Sequence, residues 1–173
     1  MKIAATFISV QVAWLACAYG AVVGAPSIGV VSCVLALGLG LVLTDKRRTL
    51  VHLSGFLGLY GLVTDSVLAS MGVVRYASPG PYPGFAPLWI VTLWMAFSVL
   101  IYPAFGWFRY RPMAAAVLGA TMAPLSYLAA DRLGALNVSE PTYLSLLCIG
   151  MIWAVALPGA IYARMILAQH EDS

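Results

Sequence analysis

Charge is what this chain has least of. Acidic and basic residues make up 9% of its 173 residues, against about one quarter in a soluble domain. So few charges cannot solvate a globular surface of that size. With 62% hydrophobic residues and a mean hydropathy of +0.95, the solvent is lipid and the chain reads as an integral membrane protein. Long polar segments are also missing. That excludes a second, soluble domain, so residues 1–173 read as a single transmembrane domain. The net charge of +3 comes without a basic run long enough to bind nucleic acid. Cys17, Cys33 and Cys148 each stand alone in an apolar stretch and read as small hydrophobes. No paired metal-ligand motif, nucleophile elbow or phosphate-binding glycine loop occurs, and no metal or cofactor is expected.

What the chain has instead is six apolar runs, each long enough to cross about 30 Å of hydrocarbon at 1.5 Å per residue. They lie near 3–24, 26–43, 49–73, 87–108, 112–135 and 142–167. The separators are short: Ala25-Pro26, "TDKRRT" at 44–49, "RYRP" at 109–112 and "NVSEP" at 137–141. The fold class is therefore an all-α, polytopic membrane helix bundle of six transmembrane helices. Lys2, Lys46, Arg47, Arg48, Arg109, Arg111 and Arg164 fall on one side of such a bundle, and Arg75 and Arg132 on the other. Cytoplasmic loops collect basic residues, so both termini are expected in the cytoplasm. Lys2 with the apolar run behind it has the look of a signal peptide. Gln11 interrupts that apolar core, so the segment is expected to remain as the first helix. Helices three and five both follow basic loops and carry an acid toward the far end, Asp65 and Asp131. Little else aligns, and no internal duplication is expected.

Asp65 is the residue that needs a reason. A carboxylate at the centre of a membrane helix costs about 2.5–3.5 kcal/mol on insertion scales. Gly58, Gly61, Asp65, Ala69 and Gly72 recur every three or four residues and share one helix face. Small residues let a neighbouring helix come close, so Asp65 should face the bundle rather than lipid. Its expected partner is polar or cationic, from helix five or the outer loop. In helix five, Pro124, Tyr127 and Asp131 share a side, with Arg132 one step round. Asp131 and Arg132 read most simply as an interfacial pair. Functionally, Arg132 is a candidate partner for Asp65 or for a lipid phosphate. Pro103 and Pro158 are expected to kink their helices.

The connection "RYASPGPYPGFAP" at 75–87 is the longest. Four prolines and two glycines rule out a regular helix there, and its aromatics suit the headgroup level. It is an interfacial connector or a lid over an outward-facing pocket. The candidate ligand-binding residues are Asp65, Arg132, Asp131, Tyr127, Arg75, Tyr76, Trp89 and Gln11. Trp89 and Trp94 read otherwise as interface and packing aromatics.

"GLVTDSVLASMG", "APLWIVTLW" and "GATMAPLSYLAADRLGAL", in that order, resemble a family of small bacterial inner-membrane proteins known as domain of unknown function 2878. The resemblance covers nearly the whole chain. It implies a bacterial inner-membrane location and matches Asp65-Ser66 to the family's acidic position in the third helix. The chain departs from the pattern at Asp131, where the family favours a small residue. It departs again at "IYPAFGW" (101–107), where the family often has a polar run.

Three functions fit this reading. The first is a non-catalytic accessory or scaffold protein that binds a membrane lipid or an apolar small molecule in an outer-half pocket around Asp65 and Arg132. The second is a membrane enzyme acting on a lipid or isoprenoid, with Asp65 as acid/base. The third is a proton-coupled transporter, for which Asp65 would carry the proton.

Overall fold

The computed structural model describes residues 2–80, 82–101 and 105–171. Among these, the chain forms α1 (Lys2–Val22), α2 (Ser27–Leu43), α3 (Arg47–Ser70), α4 (Leu88–Ile101), α5 (Pro112–Arg132) and α6 (Thr142–Glu171). A 3-10 helix covers Gly106–Tyr110, and two short strands, β1 (Val74–Tyr76) and β2 (Leu136–Val138), join the all-helical frame. α1, α3, α5 and α6 are long and apolar enough to cross a membrane, while α2 and α4 are apolar but shorter. Large apolar side chains such as Leu35, Val42 and Val155 point outward from their helices, as expected where the surrounding medium is lipid.

Three helices close with the same device. α1, α3 and α5 each run into a glycine of positive φ: Gly24, Gly72 and Gly134. In each, two crossed hydrogen bonds return to the last turn, such as Val73 N–H to Leu68 O (2.9 Å) and Gly72 N–H to Ala69 O (3.0 Å) after α3. Only glycine adopts that backbone without a Cβ penalty. The device sets α3's end at Ser70 and α5's at Arg132, short of the expected 73 and 135, and turns the chain into β1 and β2. These strands pair antiparallel, with Val74 opposite Val138 and Tyr76 opposite Leu136.

α4 is described over Leu88–Ile101 and does not reach the expected 108. Downstream, the 3-10 turn at Gly106–Tyr110 takes the place of the expected helix. The kink expected at Pro103 lies outside the described residues, as does Pro81 of the long connection. α6 continues as helix through Pro158.

The two ends of the bundle are closed differently. At one end, the Glu171 carboxylate at the close of α6 accepts from the backbone N–H of Thr49 (2.9 Å) and Arg48 (3.2 Å) and from the Thr49 hydroxyl (2.6 Å). It satisfies donors that the first turn of α3 leaves open. At the other end, the small sheet and residues 77–80 and 82–87 form a strap. Ala77 N–H donates to Ala135 O (3.0 Å), Ser78 Oγ to Ala21 O (2.9 Å), and Ala86 N–H to Ser66 Oγ (2.9 Å). Among the described residues the strap contains no regular helix, as its prolines require.

Candidate functional site

Asp65 is completely buried, and its placement begins with Gly61, one turn earlier on α3. A Cβ at position 61 would strike the Trp94 ring of α4. Without it, the indole packs close against α3 and its Nε1–H reaches Asp65 Oδ2 at 2.6 Å. From α5, the Tyr127 hydroxyl donates to Oδ1 at 2.6 Å. From β1, the Tyr76 hydroxyl donates to the same oxygen. Three neutral donors from three elements converge on one carboxylate, which is how a buried acceptor is made tolerable.

Asp65 and Tyr127 occupy matching positions. Each lies seven residues before the glycine that closes its helix, Gly72 and Gly134. The partner of Asp65 by helix-end geometry is therefore Tyr127, not Asp131. Asp131 Oδ1 instead accepts from Val138 N–H (3.0 Å) and Asn137 Nδ2 (3.5 Å), holding β2 against the end of α5.

Aromatic rings build the wall around the carboxylate. Trp153 of α6 stacks on Trp94 with centroids 4.2 Å apart, and Phe97 meets Trp153 edge-on at 5.2 Å. Tyr60 packs edge-on to Trp94 and donates to Ile152 O (3.2 Å). Trp89 packs edge-on to Tyr76 and donates its Nε1–H to Ser78 O (3.1 Å).

Beside this cluster lies a cavity of about 550 Å³ between α1, α4, α5 and α6, within the usual range for small-molecule pockets. Eight of its lining side chains are aromatic: Phe7, Trp14, Trp89, Trp94, Phe97, Phe105, Tyr127 and Trp153. They include four of the chain's five tryptophans. Its polar side chains are Gln11, Ser126 and Tyr127, and no charged side chain among the described residues lines it. Tyr127 and Trp94 belong both to the cavity wall and to the Asp65 cluster. Asp65 thus stands one hydrogen bond behind the wall. A smaller cavity of about 280 Å³ at the basic end is lined by Lys2, Asp45, Thr49 and Arg164, among others.

The structure sorts the expected residues into three groups. Asp65, Tyr76 and Tyr127 meet directly, and Trp89 supports Tyr76. Trp89, Tyr127 and the exposed Gln11 line the cavity. Arg132, Arg75 and Asp131 belong to neither arrangement. Arg132 and Arg75 are exposed, and where Arg132 was a candidate partner the Asp65 carboxylate meets three neutral groups. The last turn of α5 carries Arg132 outward when Tyr127 faces in. The lid reading also changes. Tyr82 and Phe85 are exposed and pack on each other at 6.1 Å, while the strap is tied to α1, α3 and Ala135. Sequence reasoning missed Trp94 and Trp153 as site residues. The Gly58–Gly61 stripe was the signal for Trp94, because space on one helix invites bulk from the next.

A family model described as "Protein of unknown function (DUF2878)" matches residues 3–159. No curated protein and no solved structure matches the chain.

Proposed function

The chain belongs to the DUF2878 family, a family of unknown function, and from that premise we propose that it is a binding protein for a membrane-dissolved apolar molecule. The carrying observation is the aromatic cavity of about 550 Å³ between α1, α4, α5 and α6. It is large enough for a small lipid-soluble ligand, and its few hydrogen-bonding groups would orient rather than react.

Binding is favoured over catalysis by the position of Asp65. The carboxylate is wholly buried and already accepts three hydrogen bonds. A general acid or base must come within hydrogen-bond reach of the reacting atom, and Tyr127 and Trp94 stand in between.

In this reading all six helices cross the bacterial inner membrane, with both termini cytoplasmic and the small sheet outside. Seven basic residues at the end that carries Glu171 and two at the sheet end support that orientation. α2 extends about 25 Å at 1.5 Å per residue, and tilt or local thinning accommodates helices of this length.

The test is ligand retention. The protein is purified in native lipid discs, and the bound apolar molecules are extracted and identified by mass spectrometry. Wild type should carry a species enriched over the surrounding bilayer, and Ser126→Phe, which puts a ring into the cavity, should carry less of it. Equal extracts from both proteins would reject the binding reading. Reporter fusions in the 44–49 loop and at Ser78 test the orientation. A cytoplasmic signal at Ser78 would overturn it.

A further inference from the structure

Resting on that binding reading, we infer that the ligand is an uncharged, lipid-soluble dicarbonyl of the quinone type, its oxygens accepting hydrogen bonds from Gln11 of α1 and Ser126 of α5. Both side chains line the large cavity. Among the described residues neither finds a hydrogen-bond partner within the protein. Hydroxyls elsewhere on the same two helices bond back to their own turn: Ser9 Oγ to Thr6 O (2.8 Å) and Thr121 Oγ1 to Val117 O (2.9 Å). Gln11 brings two N–H donors and Ser126 one O–H. Inside hydrocarbon no water is at hand to pair them, and an unpaired donor is costly.

Depth sharpens the requirement. Gln11 stands eleven residues before Val22 at the end of α1, about 16 Å at 1.5 Å per residue, which is the middle of about 30 Å of hydrocarbon. Ser126 stands six residues before Arg132 at the end of α5, about 9 Å by the same measure. The two helix ends lie side by side, since a Cβ at Gly134 would be 3.9 Å from the Val22 side chain. The two donors are therefore about 7 Å apart in depth, and they suit oxygens on opposite edges of one ring better than a single polar end. α1 packs chiefly on α2 and α4, and α5 chiefly on α6. That leaves a gap between α1 and α5 in which Gln11 is exposed and Ser126 half-buried, an entrance for a molecule arriving from the bilayer. A carbonyl brings acceptors and no donor that would itself need pairing. A charged head would be stranded, because no charged side chain among the described residues lines the cavity.

The test loads lipid discs holding the whole protein with three probes at equal mole fraction. The first is dodecyl-trimethyl-benzoquinone. The second is dodecyl-pentamethylbenzene, in which methyl groups replace the two carbonyl oxygens. The third is dodecylbenzoate, which carries a charge. Mass spectrometry measures the enrichment of each probe over protein-free discs. Wild type should favour the quinone over the hydrocarbon by about fivefold or more, the weight of one ordinary hydrogen bond, and should not enrich the carboxylate. Gln11→Leu and Ser126→Ala should each lower the ratio, and the double variant should bring it close to one. Equal enrichment of quinone and hydrocarbon in wild type, with both reduced in Ser126→Phe, overturns the dicarbonyl while leaving the cavity reading intact. Enrichment of the carboxylate above the quinone overturns the uncharged ligand. A quinone preference unchanged in the double variant overturns the parts assigned to Gln11 and Ser126. If Ser126→Phe lowers the enrichment of no probe, both readings fall. Gln11→Leu and Ser126→Ala put more apolar side chains on membrane helices; if one of them fails to fold, the other and the wild-type ratio still decide the question.

Discussion

Asp65 and Glu171 lie in opposite halves of the bundle, and each accepts three hydrogen bonds. Their donors differ. Glu171 takes two backbone N–H groups and one hydroxyl from adjacent residues at the start of α3. Asp65 takes three side-chain donors from α4, α5 and β1. The first arrangement is a helix cap: its donors are neighbours on one helix, and the half-buried carboxylate is partly open to water, which can stand in for it. The second exists only when three distant parts of the chain are already in place. Two carboxylates with the same hydrogen-bond count can therefore differ widely in what they hold together, and burial decides which one matters.

The largest effect that would break this comparison is expected from Asp65→Ala. It strands two tyrosine hydroxyls and an indole N–H. At roughly 0.6–1 kcal/mol for each hydrogen bond inside a membrane protein, the loss should be about 2–3 kcal/mol. Denaturant titration of the detergent-solubilised protein measures it, and a change below about 0.5 kcal/mol would reduce the cluster to ordinary packing. Gly61→Ala should follow at about 1–2 kcal/mol, because its Cβ meets the Trp94 ring and overpacking forces the helices apart. Trp94 fluorescence should shift in this variant even though no polar group has changed. Tyr76→Phe removes one donor of three and should cost about 1 kcal/mol or less by the same titration. A larger loss would make the strand, rather than α5, the main holder of the carboxylate. Glu171→Gln should change the thermal midpoint far less than Asp65→Ala in a melting curve, since water can reach the half-buried cap. A comparable drop would place the two carboxylates in one class after all.

Much of this architecture could be read before folding. The apolar runs announced the helices, and the Gly58–Gly72 stripe turned Asp65 inward. Helix ends were the weaker part. The extra residues assigned to α3 and α5 belong to glycine-closed turns and to strands, and three-residue strands leave too short a pattern to recognise. Tyr76 and Tyr127 were picked for lying near Asp65's end of the bundle, and both touch it. Arg132 was picked by the same logic and points away. A single residue step of about 100° on a helix separates inward from outward, and proximity along the chain carries no such phase.

By itself, the sequence determined that this protein has helices long and apolar enough to cross a membrane and that one face of α3 must be covered. Those properties follow from composition and from a 3.6-residue period, which any helix obeys whatever its neighbours. Only the tertiary structure decided what covers that face. Gly61 leaves room for a ring and does not say whose. Trp94 lies 29 residues from Asp65 along the chain and Tyr127 lies 62, and both arrive through the packing of α4 and α5 and the pairing of β1 with β2. The cavity is decided later still, because it is the space that four helices fail to fill once their contacts are made. A void has no residues of its own, so no local pattern can encode it.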